Sequence, residues 1–362
     1  MSIDFSLERW NHVKAAANAW WAGELDRPLF CIAVGNREPD RPEPQLPGKH
    51  FHSFYDLSIS ADAIIDRLDY NLSTQRFYGD AFPSVWMNFG PGVAAAFLGA
   101  ELRNGENTVW FHTDGDREVG EIELTFDENN VWVRRICDLY EAGLQRWQGL
   151  VQMGMTDLGG SLDILASFRP GEKLLFDLYD SPEDVKAKTW EIHEYWWKYY
   201  SFFNATLQPV NPGYTAWANI FSDEPYYMLQ CDFAYMIGPE MFDEFVKPEL
   251  AASCKKLQHA FYHLDGPGQL PHLDSLLSIP ELRGIQWIPG DGQPDVTHWP
   301  EVYRKIRDAG KLIQVFVGPG NFHFIDILAE QLGSADGIVF LGNAGQEDFP
   351  EVESILQRYN AL

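Results

Sequence analysis

Short runs of branched and aromatic residues recur along this chain, and helical patterns separate most of them. The runs are "AFPSVWMNFGPG" (81–92), "LVQMGMTDLGG" (150–160), "GYTAWANIF" (213–221), "YMLQCDF" (227–233), "AFYHLD" (260–265), "GIQWIP" (284–289), "LIQVFVG" (312–318) and "GIVFLGN" (337–343). Each is short and apolar enough for a buried strand. Amphipathic helices lie between them, one opening at a Ser/Asp cap in "ISADAIIDRLDYNLST" and another at Ser-Pro-Glu in "SPEDVKAKTWEIHEYWWKYYSFFNATLQ". Such alternation predicts a parallel sheet with helices outside it. About eight strand–helix units in roughly 300 residues fit an α/β fold of the (β/α)8 TIM barrel type better than an open sheet. A nucleotide-binding open sheet would carry a glycine-rich phosphate loop, and neither GxGxxG nor GxxxxGK[ST] occurs.

Residues 60–362 are therefore read as one barrel domain. Residues 1–59 are read as an N-terminal extension packed on it: a helix with Trp10, Val13, Ala17 and Trp20 at helical spacing, the buried strand "RPLFCIAVG" (27–35), and the proline-rich loop "REPDRPEPQLPGKH" (37–50). "TVWFHT" (108–113) and "EIELTF" (121–126) predict a hairpin insertion, and a helical pattern covers 238–258. In "WEIHEYWWKYYSFF" (190–203), Trp190, His193, Trp197 and Tyr200 share one helical face, the pattern of core packing against a barrel wall.

Charge narrows the partners. A formal net charge of −26 repels phosphate backbones and anionic membrane surfaces, so nucleic acid and membrane are not expected. The four cysteines, Cys31, Cys137, Cys231 and Cys254, form no CxxC pair and no disulfide scaffold, which points to a reducing cytoplasm. The N-terminal stretch lacks a basic segment followed by an apolar one, so no signal peptide is expected. With 13 Trp among its aromatics, the chain has enough to line a small-molecule pocket as well as a core.

Barrel chemistry collects at the C-terminal ends of the strands. There the chain places Asn88, Asp157, Asp232, the pair His263 and Asp265, Gln286 and Trp287, and Asn343, while "GYTAWANIF" carries Trp217 and Asn219. Asn88 and Asp157 also suit loop or cap roles. His263 and Asp265 stand apart, because positions i and i+2 of a strand face one side. An inward-facing strand end would bring an imidazole and a carboxylate to one point, as a general base with its orienter or as two metal ligands. His323, in "FHF" (322–324), is read as opening a helix.

The segment "IGPEMFDEFVKPELAASCKKL" (237–257) resembles the uroporphyrinogen decarboxylase superfamily, whose members carry P-x-x-F-x-E-F-x-x-P here. "QMGMTDLGGSLDILASFRPGEKLLFDLYDSPEDV", "FYHLDG" and, loosely, "YGDAFPSVWMNFGPG" resemble it too. The likeness spans 60–355 and is most specific at 237–265. It implies a (β/α)8 barrel and either a tetrapyrrole decarboxylase or a cobalamin-linked methyltransferase. The decarboxylase's arginine-rich N-terminal segment is reduced here to Arg27, a poor receptor for an octacarboxylate, and Asn88 stands near the place of its early aspartate. The zinc methyltransferases' His-x-Cys becomes His263-x-Asp265, and their later Cys is missing from "VFLGNAGQED". Zinc accepts His and carboxylate ligands, so His263 and Asp265 are the expected ligands of any metal present. Cys231 is read as a small core residue.

The leading expectation is a cytoplasmic methyltransferase-like enzyme that demethylates a small methylated ether or amine. The methyl group would pass to a separate corrinoid protein, since the chain lacks a D-x-H-x-x-G cobalt-ligand pattern of its own. His263, Asp265 and Asp232 are the expected catalytic groups. Asn88, Asp157, Asn219 and Gln286 would bind substrate, with Trp217 and Trp287 as an aromatic wall. One alternative is a cofactor-independent lyase acting on a small carboxylic acid, with Arg27 or Arg169 gripping the carboxylate. Another is a non-catalytic binding barrel whose polar groups form a closed hydrogen-bond network.

Overall fold

The computed structural model describes residues 3–115 and 117–362. Helix α1 (Arg9–Ala22) buries Trp10, Val13, Ala17 and Trp20, as their spacing predicts. β1 (Leu29–Gly35) follows, then α2 (Ala61–Ser73), which starts where the Ser60 hydroxyl accepts from the Ala63 N–H. Next come β2 (Arg76–Gly79), β3 (Ser84–Trp86), α3 (Ala94–Phe97), and the hairpin of β4 (Glu101–Asn104) and β5 (Val109–His112). Asn130 caps α4 (Val131–Trp147) by accepting from Trp132 N–H. β6 (Gln152–Gly154), α5 (Ser161–Phe168), α6 (Gly171–Asp180) and α7 (Pro182–Leu207) complete the first half, α7 having proline at its first position where no N–H is needed. The second half runs β7 (Tyr226–Leu229), α8 (Pro239–Phe245), α9 (Lys247–Lys256), β8 (His259–Asp265), α10 (Leu273–Leu277) and β9 (Leu282–Ile288). It closes with α11 (Pro300–Asp308), β10 (Leu312–Val317), α12 (Phe324–Leu332), β11 (Ile338–Gly345) and α13 (Phe349–Arg358).

The main sheet has the order β2-β1-β11-β10-β9-β8-β7, parallel throughout except for β2. β3 pairs with β6 in a separate parallel ladder. The fold is TIM-barrel-like, but among the described residues no ladder joins β1 to β3 or β6 to β7. Asp80 N to Phe30 O (2.7 Å) only continues the β1–β2 pairing, and past β6 Met155 N bonds Thr215 O (2.9 Å) in the segment before β7. The second gap has a visible cause. Residues 213–221, expected as a strand, instead double back, with Tyr214 and Ser222 exchanging both backbone bonds and Thr215 Oγ1 donating to Ile220 O. This finger wedges between β6 and β7 and carries Trp217 and Asn219 at its tip.

Three further expectations are corrected. The strand at 27–35 is no extension: β1 ladders with β11 over seven residue pairs, so a boundary after 59 cuts through the sheet. "TVWFHT" pairs with Glu101–Asn104, while "EIELTF" contains no strand. The helical pattern at 238–258 breaks at Val246, because Pro248 cannot continue the helix and its ring would strike the carbonyl four residues back.

Helix α1 blocks the N-terminal end of the strands. Trp21 stacks on His259 at the start of β8 (4.0 Å between centroids), and Trp10 donates to Leu150 O just before β6. The opposite, C-terminal end is the one left for ligands. The proline-rich loop 37–50 leaves β1 on that side and is strapped to α2, where Arg41 pairs with Asp66 and Asp69, and Arg67 pairs with Glu43 and donates to Pro44 O and Leu46 O.

Candidate active site

Along β8, Tyr262 and Leu264 are buried on one face, and His263 and Asp265 lie half-buried on the other. The strand ends at Gly266, whose φ of 75° suits glycine and turns the chain sharply away. His263 and Asp265 are thus delivered to one point, and Asp232 joins them from the turn after β7. One ligand atom from each of Asp232, His263 and Asp265 lies within 4.8 Å of the others.

Asp232 is held by a residue that sequence reading passed over. Asp163, on the first turn of α5, accepts from the backbone N–H of Asp232 (3.0 Å) and of Phe233 (2.7 Å). This requires α5 to press against the end of β7, and a Cβ on Gly160 would stand 2.3 Å from Gln230 O. Asp157 accepts from Gly159 N–H and lies close by. The result is a group of carboxylates facing one another. Burial, then repulsion from Asp232, pushes Asp163 up to about 7. Burial likewise lifts Asp157 to about 7, opposed by its bond from Gly159. Asp232 is open to solvent on one side yet crowded by protein on the others. Its carboxyl rises to about 6 through lost hydration and the nearby Asp265 charge. Burial lowers the pKa of His263 and keeps the imidazole neutral, against the opposing pull of Gln286 and Asp265.

These shifts carry a stability signature. A carboxyl with a folded pKa above its unfolded value stabilises the fold only while protonated, so that contribution is lost as pH rises from about 4 through about 7. The neutral histidines His52 and His259, lowered to about 4, act oppositely, losing stability as pH falls from about 6.5 to 4. The two effects are separable in Asp157→Asn, which cannot ionise. Its melting temperature is expected to gain on the wild type steadily between pH 4 and pH 8. A constant difference across that range means that Asp157 titrates normally.

Beside the triad lies a cavity of about 260 Å³. Trp217 forms the partition, meeting the His263 ring edge-to-face (5.2 Å, 86°) and lining the cavity with its other side. Cys31 and Ala33 on β1, Phe316 on β10 and Leu341 and Asn343 on β11 wall it, with Asn219 from the finger. These are the inward positions of their strands, two apart as the pleat demands. Asn343 was expected at this rim, at the end of its strand, whereas Phe316 was not foreseen as a lining residue.

The remaining expected site residues scatter. Gln286 is fully buried and pairs in register with His263, whose Nδ1 bonds its Oε1. Trp287, its neighbour, points the other way and packs on Trp299 (5.1 Å), so it lines no mouth. Asn88 serves the loop: its N–H donates to His52 Nδ1, its Nδ2 to His50 O, and its Oδ1 accepts from Gly90 N–H. Cys231 is buried, and its thiol is pushed far up by burial and by Asp163. His193 is buried against Glu249 (3.1 Å) between α7 and α9, a packing role. His323 sits exposed at the start of α12.

A methyltransferase from Methanosarcina mazei has a similar fold. The match spans 92% of this chain and 93% of that one, with a TM-score of 0.60 at 12% sequence identity. Macrophomate synthase, at 13% identity over 66% of this chain and 74% of its own, reaches only 0.23, too low to carry an argument. No protein-family model and no curated protein sequence matches the chain. Among the described residues, no helix is long and apolar enough to cross a membrane.

Proposed function

We propose that this protein is a methyltransferase-like enzyme of the uroporphyrinogen decarboxylase superfamily, which demethylates a small methylated ether or amine and passes the methyl group to a corrinoid on a separate protein. The carrying observation is the meeting of Asp232, His263 and Asp265 at the C-terminal end of the sheet, beside a cavity sized for a small molecule. For comparison, a 150 Å³ engineered cavity holds benzene. The resemblance at 237–265 and the fold shared with a methanogen methyltransferase support the same reading.

The triad fits a divalent cation. One imidazole nitrogen and two carboxylates make a harder set than a thiolate site, suited to zinc but also to manganese or iron. Bound there, the ion would act as a Lewis acid on the heteroatom that loses its methyl group. Two carboxylates held this close also repel each other, and a cation between them relieves that cost. The protein's own groups do the rest. If no ion is held there, Asp232, its carboxyl lifted to about 6, can instead hand a proton to the departing oxygen or nitrogen as that atom takes back the bonding pair. Trp217 stands between the cavity and His263, covering the imidazole edge-to-face and excluding water from that side.

None of the cavity's lining residues carries a charge, and Phe82, Trp217 and Phe316 give it aromatic walls that suit an ether or a methylammonium group alike. The lyase alternative fares worse than it did on sequence. Arg27 is bonded through two nitrogens to Asp80 (2.7 and 2.8 Å) below the strands, and Arg169 is held by Asp177 and Glu118. Neither lines the cavity. A closed binding network also fits poorly, since Trp217 Nε1 and Asn219 Oδ1 find no hydrogen-bond partner.

Elemental analysis of the purified protein tests the proposal. One divalent ion per chain is expected in the wild type, and less than a tenth of that in Asp265→Ala. Absence of metal from both, after growth and dialysis with added zinc and manganese, would remove the metal and leave the bare acid pair.

A further inference from the structure

The interior of a TIM-like barrel is normally filled by branched apolar side chains. Here one inward layer is polar across three adjacent strands. His263 on β8 is in register with Gln286 on β9, and Gln286 with Gln314 on β10. Both glutamines are completely buried. Burying two primary amides is costly unless they are hydrogen-bonded. These two bond in series: His263 Nδ1 to Gln286 Oε1, and Gln286 Nε2 to Gln314 Oε1.

The direction of this series has a chemical consequence. An amide oxygen only accepts, so the proton between His263 and Gln286 must sit on Nδ1. Because Gln286 presents its oxygen to the histidine, its nitrogen must face Gln314, which meets it with an oxygen. The neutral imidazole then has a bare lone pair on Nε2, the nitrogen left free for the triad. We propose that Gln286 and Gln314 are positioning residues that lock His263 in the Nδ1–H form and so keep Nε2 ready as a metal ligand or proton acceptor. Gln286 thereby acts through the histidine and not on the substrate. The functional part rests on the proposed methyltransferase site, whereas the tautomer does not.

Gln314 Nε2 has no partner in this arrangement. That leaves one rearrangement open. If a carboxylate replaced the Gln286 amide, Gln314 could turn its amide over and donate, and both neighbours of the carboxylate would then be donors. Gln286→Glu is therefore expected to preserve the tautomer, while Gln286→Leu is not. In Gln314→Leu, the Gln286 amide loses its acceptor and is free to turn its nitrogen toward His263, which moves the ring proton to Nε2.

The test is long-range ¹H–¹⁵N correlation on ¹⁵N-histidine-labelled protein stripped of metal by chelation, with the His263 signals assigned by their loss in His263→Gln. The wild type and Gln286→Glu are expected to show Nδ1–H with an unprotonated Nε2. Gln286→Leu and Gln314→Leu are expected to shift the major form to Nε2–H. Zinc titration should then find affinity about 10- to 100-fold weaker in Gln286→Leu than in the wild type and Gln286→Glu. A wild-type His263 protonated on Nε2, or a tautomer unchanged in Gln286→Leu, overturns the proposal; should that variant fail to fold, the wild-type spectrum and Gln314→Leu decide alone. If the wild type binds no zinc at all but shows the expected tautomer, the relay stands and the metal reading falls.

Discussion

Asp80→Ala is expected to lower unfolding free energy by about 3–5 kcal/mol, the usual result of removing one partner from a buried ion pair. Asp80 is 1% exposed, and its two oxygens take bonds from both Arg27 terminal nitrogens and from the Phe30 N–H (3.0 Å). His12 Nε2 approaches to 3.2 Å. Burial alone would raise this carboxyl, but the bonds from Arg27 and His12 outweigh it and hold the pKa below the usual carboxylate range. One side chain therefore ties α1, the start of β1 and the turn after β2 together at the closed end of the fold. Alanine leaves the guanidinium mostly enclosed without its partner and the Phe30 N–H without an acceptor. Urea denaturation reads the effect as a lower midpoint at unchanged slope. A loss below about 1 kcal/mol would place this pair with surface ion pairs and remove it as the anchor of the N-terminal end.

His263→Ala is expected to reduce turnover of a small methyl ether by about 10²–10⁴-fold, the range for loss of a positioned acid–base group. The fold should survive, because the side chain is half-buried at a strand end and belongs to no apolar layer. Trp287→Phe is the contrasting variant. It strikes the packing against Trp299 on the opposite face of β9, so it should lower the melting temperature and leave turnover nearly intact. Undiminished turnover in a well-folded His263→Ala protein would move the chemistry elsewhere.

Several features were legible in the residues alone. Apolar runs separated by capped helices announced a parallel sheet. The i, i+2 spacing of His263 and Asp265 announced a shared face, because the two-residue pleat admits no other outcome. Other expectations failed for local reasons. "GYTAWANIF" has strand composition, yet its cross-bonds close a finger. Gln286 and Trp287 were both placed in the mouth, which the same pleat forbids for neighbours. Arg27 and Arg169 stood out as rare cations in an acidic chain, but partners far off in sequence had already claimed them.

Periodicity and chain-local chemistry, then, are what the sequence by itself determined: most of the strands and helices, and that a histidine and an aspartate emerge side by side. Only the tertiary structure decided the rest. Asp232 joins that pair because Asp163, on a different helix, grips its backbone. Gln286 and Gln314 line up behind His263 because three strands share a register. Trp217 becomes the partition because its finger displaces a ladder. Each depends on a distance between segments that are far apart along the chain, and such distances are set by how the elements pack together, on which local propensity is silent.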